Sequence, residues 1–241
     1  PKWSMGAAFG DYDNDGYVDL YVTNFARFNY QPELPPPSPA SPCRIKGVPI
    51  ACAPDKYQGT QDLLYHNNGD GTFSDVSESS GITRKDPGRG FAVVFSDFDN
   101  DGDQDIYVAN DTVDNFLYVN RSTPGRVLFE EMGLGAGVAR DDRGSPNGSM
   151  GVTAADYDGC GRPSIFVTNF ENELHALYHN DCRDGRVAFR YTTQVSGIAS
   201  IGQAHVGWGT HFFDMDLDGW EDLFLINGHA IRFPAGRAKR A

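Results

Sequence analysis

The sequence predicts an all-β β-propeller of four-stranded antiparallel blades, with three complete repeats and a partial fourth. The first observation behind this prediction is an acidic loop that occurs four times, beginning at Asp11, Asp97, Asp156 and Asp214. The second is an Asn 13 positions after each of these residues: Asn24, Asn110, Asn169 and Asn227. The third is a Leu-Tyr pair that follows in the first three copies, in LLYHN, FLYVN and ALYHN. A four-stranded unit that recurs about every 58 residues is typical of a propeller blade.

Each complete repeat is predicted to contain four short strands. The first precedes the acidic loop, as in GAAFGD, and the second follows it, as in DLYVTN. The second strand is apolar on both sides, so we expect it to be buried between neighbouring blades. The Leu-Tyr strand is third, and a turn such as Asn68-Gly69-Asp70-Gly71 leads to the fourth, TFSDV.

The repeats divide the chain into a single propeller segment, residues 1–241. We place the boundaries at about 1–85 for blade one, 86–142 for blade two, 143–202 for blade three, 203–230 for the partial blade four and 231–241 for the tail. Blade four has no counterpart of the third and fourth strands. The segment is therefore expected to be either an internal piece of a longer protein or an open arc.

A proline-rich insertion, residues 26–62, separates the second and third strands of blade one. Its proline density predicts that it has no regular structure. Successive connections of an up-and-down sheet emerge at opposite ends, so the insertion is expected on the face opposite the acidic loops. Two roles fit it: a cover over a sheet edge, or a loop that binds a partner.

The chain has four cysteines, and no CxxC pair or Cys/His cluster in the sequence indicates zinc. An even number of cysteines fits disulfides in an oxidising compartment, and Cys43 with Cys52 is the preferred pair. Reduced thiols are the alternative. Cys160 and Cys182 lie in turns on the same face, so a bridge between them in place of an ion is a further option.

The acidic loops follow the pattern D-x-D-x-D-G-x-x-D and predict about three Ca²⁺ ions. Calcium takes six to eight oxygen ligands, and alternate residues of a tight turn can aim carboxylates at one centre. Position seven is predicted to contribute its backbone carbonyl, and the glycine at position six permits the positive φ of the turn. The predicted ligands are Asp11, Asp13, Asp15, Tyr17 and Asp19 in loop one, Asp97, Asp99, Asp101, Asp103 and Asp105 in loop two, and Asp214, Asp216, Asp218, Trp220 and Asp222 in loop four.

Loop three, DYDGCGRPS, departs from this pattern. Cys160 stands at position five and Ser164 at position nine, so only Asp156 and Asp158 supply carboxylates. We expect weak or absent calcium binding there.

Charge and hydropathy exclude two classes of partner. The formal net charge of −13 argues against binding to nucleic acid. No apolar run reaches the length of about 18 residues that a membrane helix needs, so no membrane insertion is expected. The first residues contain no apolar signal-peptide segment, and any targeting segment is expected upstream of residue 1.

No signature of an enzyme is present: there is no GxSxG, P-loop, HExxH or dinucleotide-binding motif. His66 and His179 occupy equivalent positions and are interpreted as structural. His205, His211 and His229 could form a site with Asp214 or be ordinary edge residues. Sequons for N-glycosylation occur at Asn110, Asn120 and Asn147.

Four segments resemble the FG-GAP/VCBS repeat proteins and, more closely, the cartilage acidic protein family, whose bacterial relatives carry an ASPIC/UnbV domain downstream. They are GAAFGDYDNDGYVDLYVTN, LYHNNGDGTFSDVSESSGI, GVPIACAP and VGWGTHFFDMDLDGWEDLFLINGH. The resemblance implies a propeller with Ca²⁺ in the blade hairpins and a location that is extracellular, at the cell surface or periplasmic. It also implies adhesion to, or recognition of, an unknown protein or glycan. The alternatives are the scaffold of a carbohydrate-active enzyme, such as a polysaccharide lyase, and a purely structural repeat fragment.

Overall fold

The structure is a computed structural model that describes residues 2–27, 43–45, 48–49, 52–183, 186–201 and 203–230. These residues form three four-stranded antiparallel sheets, a two-stranded sheet in the fourth repeat and a second, very short two-stranded sheet. Each of the three large sheets corresponds to one sequence repeat, with its four strands in the predicted order. The predicted fold class, an all-β chain of propeller-like blades, is therefore confirmed.

Blade one pairs its strands in the order β1-β2-β5-β6, with β3 and β4 in the insertion. Its elements are β1 (Lys2–Gly10), β2 (Asp19–Arg27), β3 (Arg44–Ile45), β4 (Val48–Pro49), a 3₁₀ turn (Pro54–Lys56), β5 (Leu63–Asn67) and β6 (Phe73–Asp75). Every strand pair in the blade is antiparallel. The acidic loop joins β1 to β2 at one end of the sheet, and the insertion joins β2 to β5 at the other.

Blades two and three repeat this arrangement, and the described part of blade four contains its first two strands. Blade two comprises β7 (Gly90–Ser96), β8 (Asp105–Asn110), β9 (Phe116–Asn120), β10 (Phe129–Glu131) and the one-turn helix α1 (Gly133–Ala136). Blade three comprises β11 (Gly151–Ala155), β12 (Ser164–Thr168), β13 (Ala176–Asn180), β14 (Phe189–Tyr191) and a 3₁₀ turn (Ile198–Ser200). Blade four contains β15 (Val206–Phe213) and β16 (Asp222–Gly228). Within the described ranges, no helix has the length and apolar character of a membrane span.

The second strand of each inner blade is the centre of the core. All residues of β8 and of β12 are buried, as the apolar sequence of these strands predicts. Apolar side chains of neighbouring sheets pack into three clusters, between blades one and two, two and three, and three and four. Each large side chain buried in this way contributes about 1.5–3 kcal/mol to stability. Packing between blades therefore holds the arc together.

A repeated asparagine closes the connection between the second and third strands. In blade one the backbone N–H of Asn24 donates to Asp62 Oδ1 (2.7 Å), and Asn24 Nδ2 donates to the carbonyl of Gln61 (2.8 Å). In blade two Asn110 makes the same pair of bonds to Asn115 Oδ1 and to the carbonyl of Asp114. The clamp joins residues 37 apart in blade one and 4 apart in blade two. Because the clamp joins only the two ends of the connection, blade one accommodates a long insertion without a change in its sheet.

Two of the three sequons lie in this buried network. Asn110 and Asn120 are 0% and 1% exposed, and the side-chain amide of each donates to backbone carbonyls. Neither can accept a glycan in the folded protein. Asn147 is partly exposed.

The insertion contains more regular structure than its proline content predicts. β3 and β4 form a two-stranded ribbon, and Pro54 begins the 3₁₀ turn. The expectation of no regular structure is wrong here, because proline is tolerated on an edge strand and at a helical first turn. The predicted disulfide between Cys43 and Cys52 is confirmed, with a Cα–Cα distance of 5.1 Å. Residues 28–42 of the insertion lie outside the described residues.

Asp62 gives the clamp of blade one a pH dependence. Burial raises the pKa of this carboxyl to about 7, although Asn24 and Tyr21 donate hydrogen bonds to it. The unfolded chain ionises near the ordinary value of about 3.9, so this residue costs stability as the pH rises from about 4 to 7. We expect Asp62→Asn, which copies Asn115 of blade two, to leave stability unchanged at pH 4. At pH 8 it should raise the free energy of unfolding by up to about 4 kcal/mol.

Urea denaturation across this pH range, with a chelator present throughout, measures the effect. Asp70→Asn is the matched control, because hydrogen bonds from Thr72 lower the pKa of that exposed carboxyl. The control should bring no gain at pH 8. Parallel pH profiles for the wild type and Asp62→Asn would contradict this account of the clamp.

Candidate metal centres

The first three alternate aspartates of loops one, two and four converge as predicted. Within each group the ligating oxygen atoms lie within 4.8 Å of one another. The groups are Asp11, Asp13 and Asp15; Asp97, Asp99 and Asp101; and Asp214, Asp216 and Asp218. Three carboxylates at this spacing can contact one cation together.

Backbone hydrogen bonds fix the first carboxylate of each loop. In loop one the N–H groups of Asp15 and Gly16 donate to the two oxygens of Asp11, at 3.2 and 3.0 Å. The same pair of bonds recurs at Asp97 in loop two and Asp214 in loop four. The glycine at position six has a φ of +89° in loop one, +96° in loop two and +91° in loop four, as the sequence predicts. The turn therefore forms from local chemistry alone.

Position four of the loops was missed by the sequence reasoning. Asn14, Asn100 and Leu217 all have a φ near +60°. Asn14 Nδ2 also donates to Asp103 Oδ1 of the next loop (2.7 Å), and Asn100 Nδ2 donates to the carbonyl of Gly161 in loop three (3.0 Å). An asparagine at this position was the available signal, since asparagine tolerates the left-handed region. Loops one, two and three are thus linked in series.

In loops one and two the aspartate at position nine is buried and anchors the loop to the third strand. The N–H groups of Tyr12 and Asn67 donate to the two oxygens of Asp19, at 3.2 and 2.8 Å. Asp105 of loop two makes equivalent bonds with Phe98 and Asn120. Burial raises the pKa of Asp105 to about 7 and raises the pKa of Asp19 as well. A cation at each site would favour the ionised forms.

At position seven the structure shows a backbone N–H that donates to the carboxylate of position five. The donors are Tyr17, Asp103 and Trp220, at 2.8, 3.0 and 2.9 Å from their acceptors. The Asp103 side chain is engaged by Asn14, so its carboxylate faces the neighbouring loop. Ligation through the three position-seven carbonyls stays a prediction.

Among the described residues, two buried carboxylate oxygen atoms have no hydrogen-bond partner: Asp13 Oδ1 and Asp99 Oδ1. Burial and the charge of the neighbouring aspartate at position five raise the pKa of both carboxyls. An orphaned buried carboxylate oxygen is costly in a protein unless a cation or donor meets it. The all-oxygen donor set at loops one and two fits a hard divalent ion such as Ca²⁺.

Basic side chains contact two of these loops, a feature that the sequence reasoning missed. His66 Nδ1, on β5, lies 3.3 Å from both Asp13 Oδ2 and Asp19 Oδ1. In blade two the equivalent position is Val119, and Arg121 takes the role by donating to Asp99 Oδ2 at 3.1 Å. The structure therefore gives His66 a contact with the acidic loop beyond the structural role assigned to it. The available signal was its place in the third strand, which pairs with the strand that follows the loop.

Loop three keeps the turn and changes the donors. The N–H groups of Cys160 and Gly161 donate to Asp156, at 2.9 and 2.7 Å, as in the other loops. Ser164 Oγ replaces the buried carboxylate and accepts from the N–H of Asn180. Cys160 and Cys182 are both free thiols, so the bridge considered between them is not formed. Weak calcium binding at loop three stays a prediction.

The three histidines of blade four do not join Asp214. The rings of His205 and His229 lie 4.9 Å apart, and His211 stacks on Phe213. In the part of the chain that the structure describes, Asp214 is grouped only with Asp216 and Asp218. The interpretation of these histidines as edge residues therefore fits the structure better than a joint site.

The positive φ at position six gives a direct test of the turn geometry. A methyl group at Gly102 would meet no atom within 4 Å, so Gly102→Ala changes only the backbone preference. We expect a loss of about 1–2 kcal/mol in the free energy of unfolding, measured by urea denaturation. Gly135→Ala is the control, since Gly135 is exposed, equally free of neighbours and lies in α1. Equal effects of the two substitutions would show that φ at position 102 is not what matters.

Comparisons with known proteins agree on the repeat type. The FG-GAP-like repeat family matches residues 50–108 and 97–167. Cartilage acidic protein 1 of Homo sapiens is 30% identical over 182 residues, which cover 72% of this chain and 25% of that protein. The Mus musculus protein is 29% identical over 182 residues, covering 72% and 26%, and the Xenopus tropicalis protein is 29% identical over 177 residues, covering 72% and 26%. The chain thus spans about a quarter of the length of these relatives.

Among solved structures, an exotype rhamnogalacturonan lyase aligns with a TM-score of 0.45 and 17% sequence identity. The alignment covers 92% of this chain and 38% of that chain. A likeness at this level carries no argument about activity.

Proposed function

Because this chain is an FG-GAP repeat protein that resembles the cartilage acidic proteins, we propose that it is a calcium-binding extracellular module. In this proposal, Ca²⁺ at loops one, two and four stiffens the blades. The opposite face, which carries the insertion, recognises a protein or a glycan. Loops 11–19, 97–105 and 214–222 hold about three ions.

The observation that carries the calcium proposal is the crowding of carboxylates at each loop. Three carboxylate oxygens lie within 4.8 Å of one another, and two of the aspartates have an orphaned buried oxygen. Two like charges 4 Å apart repel by about 4 kcal/mol at the effective dielectric constant of a protein surface. A divalent ion removes this repulsion, and calcium accepts the number and kind of oxygen atoms present.

The loops are connected to the core, so ion binding would stabilise more than the turns. Tyr12 and Phe98, at position two of loops one and two, are fully buried. Their rings pack at 5.7 and 5.9 Å on Phe129 and Phe189 of the following blade. Holding each loop closed therefore also holds a contact between blades.

Two observations support a role outside the cytoplasm. The Cys43–Cys52 disulfide is of a kind that persists in oxidising compartments. The matched relatives bear the name of a cartilage protein, which names no reaction.

The insertion emerges at the end of blade one opposite the acidic loops, where a recognition loop would leave the ion sites undisturbed.

Calorimetric titration of chelator-treated protein with Ca²⁺ tests the ion sites. Asp13→Ala, Asp99→Ala and Asp216→Ala should each lower the stoichiometry by one ion, because each removes the carboxylate at the centre of its loop. Asp158→Ala, the matched change in loop three, should leave the calcium count unaltered. Saturating calcium should raise the melting temperature of the wild type, since a ligand bound by the folded state stabilises it. An undiminished ion count in any of the first three variants would contradict the assignment of that loop.

Recognition by the insertion is tested by its removal. The N–H of Arg27 donates to the carbonyl of Gln58 at 3.2 Å, so the stem of the insertion is closed at this pair. Excision of residues 28–57, with an Asn-Gly turn joining Arg27 to Gln58, should preserve calcium stoichiometry and abolish ligand binding. The readouts are a glycan array and a pull-down from extracellular fluid, with the intact chain as the reference.

Binding that survives the excision would place recognition elsewhere on the molecule. New unsaturated sugar ends, detected by their ultraviolet absorbance after incubation with acidic polysaccharides, would instead favour a lyase scaffold. Loss of calcium binding in the excised variant would show that the excision damaged the fold.

A further inference from the structure

Loop three brings together a second kind of donor set. The Asp158 carboxylate, the Cys160 thiol and a ring nitrogen of His179 lie within 4.8 Å of one another. Asp158 and Cys160 come from the turn between β11 and β12, and His179 comes from β13. Oxygen, sulfur and nitrogen donors thus come from two elements and face one point. The acidic groups of loops one, two and four contain no sulfur donor.

The imidazole of His179 is held at both nitrogens. Nδ1 lies 3.0 Å from Asp181 Oδ1, and Nε2 lies 2.8 Å from Asp158 Oδ2. Arg190 fixes Asp181 in turn, with Nε 3.0 Å from Oδ2 and Nη2 3.1 Å from Oδ1. A neutral ring that donates Nδ1–H to Asp181 directs the lone pair of Nε2 at the loop. A histidine oriented by a second carboxylate in this way is the usual arrangement of a metal-ligating histidine.

We propose that loop three is a site for a thiophilic divalent metal, Zn²⁺ above all, ligated by Asp158, Cys160 and His179. Zinc takes carboxylate oxygen and imidazole nitrogen at about 2.0–2.2 Å and thiolate sulfur at about 2.3 Å, in tetrahedral geometry. Donors within 4.8 Å of one another fit around such an ion. Three protein ligands leave the fourth position to water.

The chemistry of the donors separates this site from the calcium loops. Calcium prefers six to eight oxygen atoms, and loop three has lost the buried carboxylate of position nine to Ser164. Thiolate and imidazole select zinc and similar metals instead. Metal binding would displace the thiol proton of Cys160, and any proton on Nε2, to solvent.

Of the other complete blades, blade one lacks the thiol and blade two lacks both the thiol and the imidazole. Blade one has His66 at the position of His179, but Asp15 stands where Cys160 does. Blade two has Asp101 and Val119 at these positions. Only in blade three do a thiol and an imidazole occur together. The sequence gives no local signal for this, because Cys160 and His179 are 19 residues apart and meet only through the pairing of β12 with β13.

Cobalt substitution tests the proposal on the whole chain, because Co²⁺ bound to a thiolate gives a ligand-to-metal charge-transfer band in the near ultraviolet. Co²⁺ is added to protein saturated with Ca²⁺, without reductant, so that the Cys43–Cys52 disulfide stays closed. One equivalent should produce the band, and Zn²⁺ should abolish it by displacement. Cys160→Ser should eliminate the band, and Cys182→Ala, which removes the other free thiol, should leave it intact.

Two further variants test the role of the histidine. His179→Gln should weaken Zn²⁺ binding, measured by competition with a chromophoric chelator, by at least about ten-fold. Asp181→Asn, which alters the group that orients the ring and removes no ligand, should weaken it by about 10- to 100-fold. All variants should keep the wild-type calcium stoichiometry, which shows that the fold is intact, and Cys160→Ala provides a second substitution if Cys160→Ser does not. The absence of a thiolate band in the wild type, or its survival in a folded Cys160 variant, would overturn the proposal.

Discussion

The arc depends on one buried asparagine in each of blades two and three, which joins the acidic loop of its own blade to that of the preceding blade. The side-chain amide of Asn120 donates two hydrogen bonds. One goes to the carbonyl of Tyr12 in the loop of blade one (2.7 Å) and the other to that of Gln104 in its own loop (3.0 Å). Its backbone N–H donates to the buried Asp105 carboxylate. Asn180 repeats these contacts one blade later, reaching Phe98. Since unpaired buried amides are costly, each blade must be docked on its neighbour for the loops to be satisfied.

This geometry links the charge of the loops to the packing of the sheets. Burial raises the pKa of Asp19 and, to about 7, that of Asp105, so the loops without a cation carry carboxyls that resist ionisation. Arg121 relieves part of the charge at Asp99, and His66 stands beside Asp13. A bound divalent cation would offset more of it. Stability gained at a loop is then transmitted to the blade interface, because the same residues form both.

Much of this architecture is predictable from the sequence, because the repeat encodes it locally. The turn is specified by the positive φ of Gly16 and by the two hydrogen bonds that Asp11 accepts from nearby backbone N–H groups. The contact of His66 with Asp13 was harder to predict, since the two residues are 53 apart in sequence and meet only through the pairing of β2 with β5. The ribbon of β3 and β4 was not predicted, because a high proline content does not exclude edge strands, where proline costs no hydrogen bond.

Blade four keeps the hydrogen bonds of this turn but differs in its burial. Met215 occupies position two of its loop and is 64% exposed, whereas Tyr12 and Phe98 at the same position are fully buried by the following blade. The central carboxylate of the loop, Asp216, is likewise exposed, whereas the side chain of Asp99 is only 3% exposed. The loop sequence therefore specifies the turn, whereas the packing of neighbouring blades, which the loop sequence does not encode, sets its burial.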